Sequence, residues 1–124
     1  MPVKVVSQSP MHIHPHLDIY YQGQPVEVPA EVGIADEMYA THKYDKYIGD
    51  MGAAPLHTHD TTGTIHVESS VTAKWTLGNF LEIWGVNLKG HHVKLYVDGD
   101  KVRGYKGHQL QDGENLVLDI DPEG

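Results

Sequence analysis

Apolar residues recur at clear helical spacing in one short stretch of this chain, and almost everywhere else they alternate with polar ones. The helical stretch is Leu77, Phe80, Leu81 and Trp84, an i, i+3, i+4, i+7 stripe that makes one face of two turns. Thr76 stands where an N-cap belongs, and Gly85 stands where a helix stops. A chain with a single short helix must build the rest of its core from strands.

The period-two segments supply them. Ile13 to Tyr21 reads as a strand with Ile13, Leu17, Ile19 and Tyr21 on one face and His12, His14, His16, Asp18 and Tyr20 on the other. Gly23 turns the chain into a partner strand, Pro25 to Pro29, with Val26 and Val28 inward. Gly33 to Pro55 has no strong period and reads as a long loop with room for one short helix. Leu56 to Asp60 and Gly63 to Ser69 form the next pair, joined by Thr61-Thr62-Gly63. After the helix come Val93 to Val97, the hairpin signal Asp98-Gly99, Lys101 to Tyr105, and a last strand over Leu116 to Ile120.

Hairpin, loop, strand, helix, hairpin and strand predict a small α+β fold. One helix packs on a mainly antiparallel sheet, in a β-grasp-like arrangement. A β-sandwich with a surface helix is the alternative. At 124 residues the chain makes one domain, residues 1–124, with residues 1–11 expected as a flexible N-terminal arm.

Charge narrows the partners. Nine basic against seventeen acidic residues give a net charge of -8, which repels phosphate backbones and argues against nucleic acid. No run reaches the roughly 18 apolar residues of a membrane span, so no membrane insertion is expected. Met1 to Pro10 lacks the pattern of a signal peptide. Nothing in the sequence opposes a homodimer. There is no cysteine, which removes disulfides, thiolate ligands and thiol nucleophiles.

Ten histidines remain to be explained. They concentrate in His12-Ile13-His14-Pro15-His16, His57-Thr58-His59-Asp60 and His66-Val67-Glu68. In a strand, residues i and i+2 point the same way, about 7 Å apart at a rise of ~3.3 Å per residue. Two imidazoles so placed can lean onto one ion. His12 and His14 lie opposite the apolar face of their strand, as His66 and Glu68 lie opposite Ile65 and Val67, so neither set competes with the core. The candidate metal ligands are therefore His12, His14, His57, His59 and His66, with His16 a weaker candidate. Asp60 is placed either to orient a ligand imidazole or to cap the turn at Thr61-Thr62. Glu68 is placed as ligand, general base or solvated strand residue. His42, His91, His92 and His108 read as surface. Nitrogen and oxygen ligands without sulfur favour a copper or zinc ion over Mg²⁺ or Ca²⁺.

The strings His12-Ile-His-Pro-His-Leu-Asp-Ile-Tyr20, Val28-Pro-Ala-Glu-Val-Gly-Ile34, Leu56-His-Thr-His-Asp-Thr-Thr-Gly-Thr-Ile-His-Val-Glu68 and Thr76-Leu-Gly-Asn-Phe-Leu-Glu-Ile-Trp-Gly85 resemble a widespread uncharacterised family of small, histidine-rich bacterial and archaeal proteins. The resemblance runs from about residue 12 to 120. It carries no activity with it. It implies an extracytoplasmic location and favours His12, His14, His57, His59, His66 and Glu68 as the site.

Two functions fit this pattern best. One is a metal-binding module that stores, buffers or delivers copper or zinc. The other is a mononuclear three-histidine metalloenzyme, a zinc hydratase or hydrolase or a copper oxidative enzyme, with Glu68 or Asp60 as catalytic base or orienter. A third, an interaction domain with a pH-sensitive histidine surface, needs no metal.

Overall fold

The computed structural model describes residues 3–49 and 52–122, so the long loop expected over Gly33 to Pro55 is described apart from residues 50 and 51. The protein is a mixed α/β fold, mostly sheet, with one α-helix among the described residues. The strands are β1 (Val5–Ser7), β2 (Met11–Ile13), β3 (His16–Tyr21), β4 (Gln24–Val26), β5 (Leu56–His57), β6 (His66–Ser69), β7 (Thr72–Ala73), β8 (His91–Val97), β9 (Asp100–Val102) and β10 (Asn115–Pro122), and helix α1 is Leu77–Trp84. They form three sheets: β4-β3-β10-β8-β9, β2-β6-β5, and the pair β1-β7. All pairings between these strands are antiparallel except that of β3 with β10, which is parallel. Val5–Ser7 lies in the segment expected as a flexible arm, but it is paired with β7.

The hairpins and the helix form where their local chemistry places them. Asp98 and Gly99 both take positive φ, at 50° and 90°, as a two-residue turn matched to the strand twist requires. Thr76 Oγ1 accepts from the Asn79 amide at 3.2 Å, and Asn79 Oδ1 accepts from the Thr76 amide at 2.9 Å. This reciprocal cap starts α1. Leu77, Phe80, Leu81 and Ile83 are buried; Trp84, expected on the inner face, is only half-buried. Val28 is buried as expected, whereas Val26 points out and is 41% exposed.

The core gathers Leu17 and Ile19 of β3, Leu95 of β8, Leu116, Leu118 and Ile120 of β10, Leu56, Ile65 and Val67 around the small sheet, Trp75, and the helix.

The predicted strand over Ile13 to Tyr21 is instead two strands in two sheets. The break falls at His14-Pro15. Pro15 has no N–H and cannot continue a ladder as donor. Its carbonyl accepts from the Ile65 amide at 2.8 Å, and the His14 amide turns to Asp112 Oδ1 at 2.9 Å. The chain thus passes from the three-stranded sheet to the five-stranded one directly beside the histidines.

Candidate metal centre

The three-stranded sheet is where the histidine motifs meet. β6 is its central strand, and alternation turns Val67 into the core while His66 and Glu68 face the other way, each half-buried. In the pairing register His57 of β5 stands directly opposite His66, and His12 of β2 directly opposite Glu68. Three segments distant in sequence therefore place their polar side chains on one face.

The rings are close. His57 and His66 are stacked with centroids 5.6 Å apart and planes 5° from parallel. His59 lies 4.5 Å from His66 and 4.8 Å from His57. On the β2 side, His14 approaches His66 edge-on at 4.8 Å, and His12 lies 4.6 Å from His14. One carboxylate oxygen ties the set together: Glu68 Oε1 is 3.2 Å from His57 Nε2, 3.6 Å from His12 Nε2 and 3.9 Å from His66 Nδ1. Among the described residues, two groups of side chains could hold a metal ion, with donor atoms within 4.8 Å of one another in each: His57, His59, His66 and Glu68, and His12, His14 and His66.

His57 gives the sharpest test of whether these residues fit a cation. Its side chain is fully buried. Its Nδ1 lies 2.7 Å from the Ala54 carbonyl, which can only accept, so Nδ1 carries the proton. In the neutral ring Nε2 is then a lone pair. It is buried with no hydrogen-bond partner, and it faces the Glu68 carboxylate. Two acceptors at that distance repel unless a proton or a metal cation lies between them, and burial works against the proton on His57. A carbonyl on the far nitrogen is also the usual way a ligand imidazole is oriented.

The cluster also biases His57 and His66 toward the neutral ring, which is the ligating form. Burial lowers the His57 pKa; the Ala54 hydrogen bond and Glu68 oppose that shift, and His59 adds to it. His66 is pushed down to about 4, first by burial and then by the charges it would face on His59, His14 and His57.

The connections behind the rings explain their placement. Thr58, between the two histidines, is fully buried. Its hydroxyl donates to the Pro29 carbonyl at 2.8 Å and accepts from the Val32 amide at 3.1 Å; its own amide donates to the Val32 carbonyl at 3.0 Å. Thr58 pins the His57–His59 segment to the loop after β4. Gly63 closes the other side. Its carbonyl accepts from the Leu17 amide at 2.8 Å, and a Cβ there would sit 2.3 Å from the Leu17 carbonyl oxygen. Only glycine fits that approach, which docks the Thr61–Gly63 turn onto β3.

The other sequence candidates stand elsewhere. Asp60 is exposed and turns to Thr62, accepting from its amide at 3.1 Å and its hydroxyl at 2.7 Å. These two bonds are the leading causes that lower its pKa. His16 lies outside both groups, with Nε2 3.1 Å from Asp18 Oδ1. His42 stacks on Tyr39 and pairs with Asp45, and His91 and His92 are exposed. His108, read as surface, is instead half-buried, with Nε2 2.8 Å from the carboxylate of Glu114, itself only 5% exposed. Two contributors went unread in the sequence. Thr58 could have been found as a polar residue at the inward position of an outward-facing His-x-His pair. The Ala54 carbonyl is backbone and has no side-chain signature.

The fold and this face define a histidine-rich α+β domain with a candidate metal centre on its three-stranded sheet. No protein-family model, no curated protein and no solved structure matches the chain.

Proposed function

We propose that this protein is a transition-metal binding protein that stores, buffers or delivers copper or zinc through its strand-borne histidines. The observation that carries the reading is His57: a buried ring with one nitrogen committed to Ala54 and the other, a lone pair in the neutral ring, without a hydrogen-bond partner 3.2 Å from a carboxylate oxygen. Around it stand four more imidazoles. Imidazole and carboxylate without thiolate suit zinc and Cu(II), and disfavour Mg²⁺ and Ca²⁺. Glu68 sits among the rings at ligand distance from one another, which supports a ligand role over that of a free base.

The β-grasp reading belongs to the same proposal. Its support is the order β4-β3-β10-β8-β9, with the first hairpin and the last strand joined in parallel and the helix between the two hairpins. Kinship with the histidine-rich bacterial and archaeal family, and an extracytoplasmic home, rest on the motif resemblance. Fractionation of cells carrying the native gene tests the latter, and recovery only with the cytosol would defeat it.

Metal-free protein, prepared without a nickel column and titrated with Zn²⁺ or Cu²⁺ against a chromophoric chelator, tests the function. Stoichiometric binding is expected in the wild type and loss of the tight equivalent in the His57→Ala/His59→Ala double variant. Binding that survives the double substitution unchanged defeats the assignment.

A further inference from the structure

Six donor side chains are more than one four-coordinate ion takes, and their arrangement divides them. His57 and His59 lie on the β5 side of His66, and His12 and His14 on the β2 side. Glu68, on β6 with His66, has Oε1 3.2 Å from His57 Nε2 and 3.6 Å from His12 Nε2, and groups with His57, His59 and His66. His66 belongs to both groups, flanked by His14 at 4.8 Å and by His59 at 4.5 Å. The two sides also differ in environment. The His57 side chain is fully buried, while that of His12 is 59% exposed.

We infer that the face holds two cations joined through His66, and this rests on the transition-metal reading above. The inner position takes His57, His59, His66 and Glu68, a complete set of four. The outer position takes His12, His14 and His66, leaving room for water or for a donor from another molecule. An imidazole has two ring nitrogens. The first ion takes the lone pair of one; the second takes the other, whose proton passes to solvent. His66 then bridges the two ions as imidazolate. The inner set fills first, because His57 is fully buried, His66 and Glu68 are half-buried, and these donors are gathered and partly shed of water. The outer set, open to solvent, is where an ion enters or is handed over.

Titration of the metal-free protein with Cu²⁺, followed by electron paramagnetic resonance, reads both stoichiometry and bridging. The first equivalent should give a full Cu(II) signal, and the second should diminish it, since two Cu(II) ions across an imidazolate couple magnetically. Zn²⁺ competition should count two equivalents in the wild type. His12→Ala/His14→Ala should count one, with the affinity of the first retained; both residues are exposed, and an unchanged circular dichroism spectrum checks the fold. A single equivalent in the wild type, weakened by the His12/His14 substitutions, would mean one shared site and overturn the two-ion arrangement while leaving metal binding intact. Two equivalents with additive signals would overturn the sharing of His66. No binding of either metal by the wild type would overturn the functional reading itself.

Discussion

His57 Nε2 and Glu68 Oε1 stand 3.2 Å apart, and in the neutral ring that burial favours, the proton is on Nδ1, held by the Ala54 carbonyl, so a lone pair faces the carboxylate. This pair makes opposite demands with and without a cation. Glu68→Gln removes the negative charge and supplies an amide N–H that can donate to the lone pair. The metal-free variant should therefore be as stable as the wild type or more so, by up to about 1 kcal/mol, the net worth of one hydrogen bond. Its Zn²⁺ affinity should fall at least roughly tenfold, the lower range for disturbing a metal's supporting shell. Urea denaturation and chelator competition measure the two effects, and an unaltered affinity would count against Glu68 as a ligand.

Thr58 holds the site from behind. Thr58→Val keeps the shape and removes the hydroxyl, stranding the Pro29 carbonyl and the Val32 amide. Leaving buried polar groups unpaired costs about 1–3 kcal/mol, so the urea midpoint should drop accordingly. Metal affinity should drop too, since His57 and His59 lose their fixed spacing. A variant with wild-type midpoint and affinity would show that the segment is held by other means.

Bound metal should stabilise the fold. A cation at about a hundred times its dissociation constant adds ~2.7 kcal/mol, a rise in Tm on the order of 10 °C for a domain of this size. Calorimetry of the metal-free protein with and without Zn²⁺ checks it, and a chelator should reverse the shift. Equal melting temperatures in both states would be incompatible with tight binding to the folded form.

Acid should weaken the metal-free protein through the same rings. His66 titrates at about 4 in the folded chain against an ordinary 6.5, so between these values the unfolded chain binds a proton that the folded one refuses. Stability then rises with pH across that window and levels off above it. The lowered pKa of His57 acts in the same direction. Urea midpoints at pH 5 and pH 7.5 should differ in this sense for the wild type and less for His66→Gln. Identical pH dependence in the two would remove His66 as the source.

Much of this was legible in the residues. The spacing of Leu77, Phe80, Leu81 and Trp84, with Thr76 before and Gly85 after, located the helix, because capping and amphipathic periodicity act within one or two turns. Asp98-Gly99 marked a hairpin for the same reason. His57-x-His59 and His66-x-Glu68 implied rings and carboxylate on common faces, since alternation in a strand is local geometry.

What lies beyond that range needed the tertiary structure. No local rule says that His12 falls opposite Glu68; that register depends on which strands pair, and this pairing joins residues far apart in sequence. Pro15 was visible as a strand-breaking residue, but that the chain there leaves one sheet for another follows from the Ile65 amide and Asp112 meeting it. The Thr58 hydroxyl in its buried fork and the division of the histidines about His66 arise from distant segments packing together, and the Ala54 carbonyl that orients His57, though only three residues away, depends on the conformation of a segment with no periodic signal. The sequence determined which side chains could ligate; packing decided which of them share an ion.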